Sequence, residues 1–221
     1  MIPDTDVLRY PLPFNIAEAI AAQILAGEFR PGERLKEGEL AHRYRTSRAP
    51  IREALYLLQV QGLIERVPRR GTVVRTYTAE DIEALYQTRI ALELLAVDRI
   101  QAHWDDTFIL ALQKVVHSMH RAVQHHDYPQ YAADNSRFHQ EIVEHGGGTV
   151  IFALWHQISY PLKYLLRASI QSEDDIARSL AEHERIVEAF QHLDFDVVKN
   201  VLRENILHGM QRVLAEHHPV H

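Results

Sequence analysis

Five polar side chains fall inside otherwise apolar helical stripes of this chain: Arg89, Asn135, His139, His183 and Asn205. Imidazole nitrogens and side-chain oxygens suit zinc, nickel or manganese without choosing between them. An arginine can grip a carboxylate at two points. Facing inward, such groups need partners, because a buried polar group without one is costly. A bound organic acid, or a divalent metal on Asn135, His139 and His183, would satisfy them together. One inward histidine alone is usually a hydrogen-bonded core residue. Two of them, with Asn135 one turn before His139, point to a site.

A second chemistry lies nearer the N-terminus. From Arg45 to Arg75 there are seven arginines and only two acids, Glu53 and Glu65. Residues 1–77 carry a net charge of +3 and residues 78–221 a net charge of −9, so the overall −6 hides a basic N-terminal part. Basic charge concentrated in one small region is the electrostatic footprint of phosphate binding. Arg45 and Arg48 stand at the start of a helix, where arginine forks and free N–H groups can meet base edges or phosphate.

The elements that must position these groups follow from periodicity. Residues 1–13, with three prolines, are expected to be a mobile arm. A helix is expected from an Asn15 N-cap through Ile16, Ile20 and Ile24 to Gly27. A short helix at about 37–44 follows, and Thr46 or Ser47 caps another reaching Gln61. In that helix Ile51, Leu55 and Leu58 face inward, while Ala49, Arg52 and Tyr56 face out. Residues 63–67 and 72–75 alternate as strands around Pro68-Arg-Arg-Gly71, a basic hairpin. Arg69, Arg70 and Gly71 at its tip can approach a minor groove or backbone. Two short helices and a basic hairpin make a winged helix-turn-helix over residues 1–77.

Beyond the N-cap signature Thr78-Ala-Glu-Asp81 no strand is expected. Helices are predicted at 79–102, 106–125, 128–145, 149–168, 174–192 and 195–216, with breaks at Trp104-Asp-Asp, His126-Asp127, Gly146-Gly-Gly148 and Gln171-Ser172. Short links between long helices imply an all-α antiparallel bundle over residues 78–221. The fold class is therefore mainly α, with a small β-hairpin wing. The inward stripes are Ile82, Leu85, Leu92 and Ala96 around Arg89; Tyr131, Phe138 and Ile142 around Asn135 and His139; Ile176, Leu180, Val187 and Phe190 around His183; and Val198, Val201 and Leu202 leading to Asn205.

Composition bounds the rest. A chain of 221 residues suits two compact domains. Cysteine is absent, which excludes disulfides and thiolate metal sites and suits a reducing cytoplasm. The N-terminus carries acids early and lacks an apolar signal region, and no apolar run approaches the ~20 residues of a membrane helix. An enzyme using His139 and His183 would need a nucleophile or base beside them. There is no serine or cysteine constellation, no H-E-x-x-H and no glycine-rich phosphate loop. A purely architectural DNA binder would leave the inward polar set unexplained. The expected function is an operator-binding regulator governed by a small-molecule effector, acting as a homodimer because one helix-turn-helix buries too little surface alone.

The run GEFRPGERLKEGELAHRYRTSRAPIREALYLLQVQGLIERVPRRGTVV closely resembles the DNA-binding domain of GntR-family regulators. The matching pieces are Pro31-Gly32, Leu35-Lys-Glu37, Glu39-Leu-Ala41, Ser47-Arg-Ala-Pro-Ile-Arg-Glu-Ala-Leu55, Gly62-Leu-Ile64 and Arg70-Gly71. The resemblance implies DNA contacts at Ser47, Arg48, Arg52, Arg70 and Gly71, beside the Arg45 suggested by charge. Ala49 stands where threonine is commoner. The second half resembles the FCD domain of the FadR subgroup, through Arg89-x-x-x-Glu93, Asn135-Ser-Arg-Phe-His139, Glu182-His183-x-x-Ile186, Asp194-x-Asp196 and Leu202-Arg-Glu-Asn205-Ile206. That resemblance implies a metal held by Asp, His, His and His at the positions of Asn135, His139, His183 and Asn205. Here the first and last are neutral amides, with His208 one turn beyond Asn205. Amides are poorer ligands than carboxylate or imidazole, so the expected metal affinity is low.

Overall fold

The computed structural model describes residues 11–169 and 173–216, the side chains of 167–169 excepted. The chain divides into two compact units, Met1–Thr76 and Tyr77–His221. Residues 1–10, the break at Gln171-Ser172 and the pair His217-His218 lie outside the described residues.

The first unit holds α1 (Leu12–Leu25), α2 (Glu37–Arg43), α3 (Arg48–Val60), β1 (Ile64–Val67) and β2 (Gly71–Val74). α1 begins earlier than its Asn15 signal suggested: Pro11 is the N-cap, and Pro13 sits in the first turn. Proline is at home there, because its missing N–H would lack an intrahelical partner anyway. Ile16, Ile20 and Ile24 of α1 meet Ile51, Ala54, Leu55 and Leu58 of α3 in one core. Ser47 occupies the N-cap of α3 in extended conformation, but its hydroxyl makes no capping bond and stays exposed. The hairpin pairs antiparallel, with Ile64 opposite Val74 and Val67 opposite Gly71. β1 starts one residue later than the sequence pattern suggested because the Leu63 N–H closes the end of α3 on the Leu58 carbonyl. Residues 32–35 add a second pairing to β2: Gly32 and Leu35 donate to Val74 and Thr72, and Val74 donates to Glu33.

The second unit is all helix among its described residues: α4 (Ala79–Ala102), α5 (Asp106–Gln124), α6 (Tyr128–Gly146), α7 (Gly148–Ser169), α8 (Glu173–Gln191) and α9 (Phe195–Glu216). α4 opens with a full capping box. The Asp81 N–H donates to the Thr78 hydroxyl, and the Thr78 N–H donates to the Asp81 carboxylate. α4 packs on α6, α7 and α9, while α5 lies on α6 and α8, and α8 lies on α9. The expected inward stripes are buried, except that Leu85 is half-buried and its neighbour Tyr86 takes the core position. Gly146 is where α6 meets α4 most closely: a Cβ there would overlap the Ala96 carbonyl. The Gly146 carbonyl also accepts from Arg99 Nε at 2.7 Å. α7 carries Pro161 inside it, a helical residue without an N–H to give.

Candidate functional site

On the first unit, α3 presents the basic surface. Arg45, Ser47, Arg48 and Arg52 are all exposed, as are Arg70 and Gly71 on the wing. Arg45 stands at φ 51°, a left-handed turn that ends the α2 segment and swings the chain into α3. Arg52 is held by Glu37 of α2, Nε to Oε2 at 2.8 Å, with more than half of its side chain exposed. An exposed pair of this kind is weakly bound, so Arg52 can exchange Glu37 for a phosphate or base at little cost. Tyr56, one turn further along, is 65 % exposed on the same outward face. Gly71 sits at φ +83°, a conformation that side chains rarely adopt, and a Cβ there would lie in ordinary contact with the Arg34 guanidinium, 3.4 Å away. Glycine thus keeps the wing tip both turned and slim.

On the second unit, a buried chain of polar groups runs through the bundle. Arg89 Nε donates to Glu93 Oε1 at 2.7 Å, one helical turn along α4. Glu93 Oε2 accepts from His139 Nδ1 of α6 at 2.6 Å. The three side chains are between 0 % and 6 % exposed. Burial opposes the Glu93 charge, yet His139 and Arg89 prevail and hold its carboxyl below the ordinary value. His139 is pushed the other way, below the usual imidazole range, by burial and by Arg89. A carboxylate beside a neutral imidazole fixes the tautomer: the proton is on Nδ1, and Nε2 is bare.

His183 of α8 repeats the arrangement. Its Nδ1 donates to the Ser179 carbonyl at 2.6 Å, and burial followed by His139 holds its pKa well below the usual value. The two rings lie 5.3 Å apart, centre to centre. Both Nε2 atoms are buried without any hydrogen-bond partner. Asn205 of α9 lies beside His139, but its amide donates to Glu182 at 2.7 Å. Asn135 donates to the Ser179 hydroxyl at 3.5 Å. His208 is taken by Glu182 at 2.6 Å rather than turned toward the two histidines.

Arg89, Asn135 and His139 open on one cleft under α7, with Trp155, Leu162 and Leu166 across from them. The cleft is narrow: its free space is about 10 Å³, room for no more than a single water molecule. His183 and Asn205 stand behind this wall rather than on it. The structure thus gathers the five predicted polar residues, but it spends Arg89 partly on Glu93 and Asn205 on Glu182. Sequence reasoning missed these two carboxylates as partners. The i,i+4 spacing of Arg89 and Glu93 was a usable signal; the pairing of Glu182 with Asn205 had none. It also missed Tyr86, whose buried hydroxyl has no partner, and Arg212, whose Nη1 is likewise buried and unpaired.

The donor set can be tested against a resident metal. Second-partner bonds at both Nδ1 atoms are what ligating histidines usually have. Two imidazoles and two neutral amides nevertheless supply no anionic ligand, because Glu93 and Glu182 are committed elsewhere. Among the described residues no group of three or more His, Asp or Glu side chains is placed to hold an ion. This set does not fit a tightly held metal.

A winged helix-turn-helix joined to an all-helical unit defines a class of DNA-binding regulatory proteins. Residues 14–74 match the model of bacterial regulatory proteins of the gntR family, and residues 84–208 match the FCD domain. The chain belongs to the GntR family, with an FCD domain, and is a transcriptional regulator rather than an enzyme. It is 26 % identical over 209 residues to the uncharacterized HTH-type regulator YdhC of Bacillus subtilis, covering 93 % of each chain. It is 25 % identical over 210 residues to the gluconate operon transcriptional repressor of Bacillus licheniformis, covering 93 % of this chain and 86 % of that protein. In fold it resembles a GntR regulator from Rhodococcus sp. RHA1, with a TM-score of 0.81 at 21 % identity over 93 % of this chain and 99 % of that one. Among the described residues no helix is long and apolar enough to cross a membrane.

Proposed function

We propose that this regulator binds a two-half-site operator as a homodimer, and that a small organic acid in the cleft beside Arg89 and His139 sets its operator affinity. The observation that carries the effector reading is the Arg89–Glu93–His139 chain, a costly buried network that opens on a cleft. Structural cores seldom keep such groups unless a ligand or fold specificity repays them. Two relatives named as gluconate operon repressors make a sugar acid the first class to try. The bound acid would favour one arrangement of the bundle and shift operator affinity through that population. The DNA contacts assigned to Arg45, Ser47, Arg48, Arg52, Arg70 and Gly71 and the cytoplasmic setting belong to the same reading. A divalent ion (zinc, nickel or manganese) on the two bare Nε2 atoms is the rival occupant, favoured by their tautomers and weakened by the neutral amides.

The experiment is a mobility-shift titration of operator DNA with and without gluconate, paired with the intrinsic fluorescence of Trp155 on the cleft wall. An acid that alters both supports the reading. Fluorescence and operator affinity unmoved by any acid or by zinc would end it. Light scattering should report about twice the 25.6 kDa chain mass, and a monomer both alone and with DNA would remove the dimer.

A further inference from the structure

The two outward arginines of α3 are held differently. Arg48 is exposed, and among the described residues no acid holds it. Its Nη2 lies 3.7 Å from where a Cβ on Gly38 would stand, so the guanidinium rests beside the bare first turn of α2. Arg52 reaches the same turn and is gripped there: its Nε donates to Glu37 Oε2 at 2.8 Å. Glu37 is not a loose surface acid. It is the first residue of α2, and its side chain is only 28 % exposed. The free N–H groups of a helix start favour a carboxylate at that end. The other acid of the turn, Glu39, is taken by Lys36 at 2.7 Å. One carboxylate on a neighbouring helix thus fixes one arginine of the two. We propose that Glu37 is a specificity-determining residue for the operator: it holds the Arg52 guanidinium in position to read a guanine, without touching DNA itself. This rests on the reading of α3 as the helix that meets the operator.

The atom engaged decides what Arg52 has left to give. A guanidinium carries five N–H groups in one fixed plane. Glu37 takes the edge that holds Nε. The terminal edge keeps one N–H on each Nη, parallel and spaced for the O6 and N7 acceptors of guanine. A guanine can therefore be bound with Glu37 still in place. In water the pair exchanges cheaply, but a docked duplex removes that water, and the bond strengthens as the local dielectric falls. Phosphate is the other partner DNA offers, and charge argues against it for Arg52. Glu37 cancels much of the positive charge and would itself be repelled by a phosphate. Arg48, unheld, keeps its full charge. A fixed fork with its charge offset suits a base edge, and a free charge suits the backbone.

The test is selection of binding sites from a duplex library with a randomised core, using the full-length protein. Wild type, Arg52→Ala, Glu37→Ala and Glu37→Gln each make a selection. Affinities for the wild-type-selected duplex and for a scrambled one are then measured by mobility shift. Wild type should select one G·C pair in each half-site that Arg52→Ala no longer selects. Glu37→Ala should lose that same pair and no other, its preference for guanine there falling about tenfold or more. Its affinity for the scrambled duplex should hold or rise, because an acid has left the DNA-facing side. Glu37→Gln keeps an acceptor of the same shape and should retain the pair. In the Arg52→Ala background, Glu37→Ala should change base preference no further. A Glu37→Ala protein that still selects the pair, or that gains equally on both duplexes, would overturn the assignment of Glu37 and leave α3 as the reading helix. Should Glu37→Ala not fold, shown by equal loss on both duplexes, Glu37→Asp, whose carboxylate stops one methylene short, decides in the same way. An Arg52→Ala protein that selects the full wild-type site would remove Arg52 as a reader, and this inference with it.

Discussion

Acidification should unfold the helical unit through its two buried imidazoles. His139 and His183 are at most 1 % exposed, and burial, the first cause for both, holds their pKa values below the ordinary 6.5. In the unfolded chain they titrate near that ordinary value. Below pH ~6.5 the unfolded state therefore binds protons that the folded state refuses, and stability falls with pH until the folded-state values are reached. Above pH ~6.5 these groups contribute full and constant stability. One group in this window costs about 1.4 kcal/mol per pH unit, and two together cost up to about 2.7 kcal/mol per unit. Glu93, also depressed, adds a further loss only below its ordinary value of 4.5. The assay is convenient because both tryptophans, Trp104 and Trp155, lie in the helical unit, so intrinsic fluorescence reports that unit alone. Urea midpoints in metal-free buffer should be level from pH 8 to 7 and drop steeply from 6.5 to 5.5. His183→Gln should lower stability at pH 7.5 and flatten the slope by about half. A wild-type midpoint that stays level from pH 7.5 to 5.5 would refute the neutral buried pair.

Three other outcomes are expected. Arg48→Ala and Arg52→Ala should each weaken operator binding by about 1–3 kcal/mol in a mobility-shift titration, with an unchanged fluorescence melt; two variants that bind like wild type would remove α3 as the reading helix. Gly146→Ala should destabilise the helical unit by about 1–3 kcal/mol, because its methyl would enter the Ala96 carbonyl where α6 meets α4; a melt within error of wild type would mean that the helices part freely there. Thr78→Ala should cost about 1 kcal/mol through loss of the capping box, while Thr78→Ser should cost little.

Periodicity and local chemistry alone carry much of this architecture. The 3.6-residue spacing of Ile16, Ile20 and Ile24, of Ile51, Leu55 and Leu58, and of the stripes in α6, α8 and α9 is set within one helix. It can be seen without knowing what packs against it. The capping box at Thr78 and Asp81 and the basic hairpin tip are equally local. The same stripes showed that Asn135, His139, His183 and Asn205 face inward, since facing is a property of one helix. What each side chain meets there is not. Glu93 reaches His139 across 46 residues, and Glu182 takes Asn205 across 23 and His208 across 26. Those bonds depend on the relative rotation and rise of packed helices, which no single-helix period encodes. The start of α1 and the silent Ser47 cap were also decided by context, where proline chemistry and an exposed hydroxyl prevailed over a good capping signal. Only the tertiary arrangement turned two inward histidines into a pair of bare Nε2 acceptors. Each ring's tautomer is set by the acceptor facing its other nitrogen, and packing alone brings Glu93 to His139 and sets the two rings side by side.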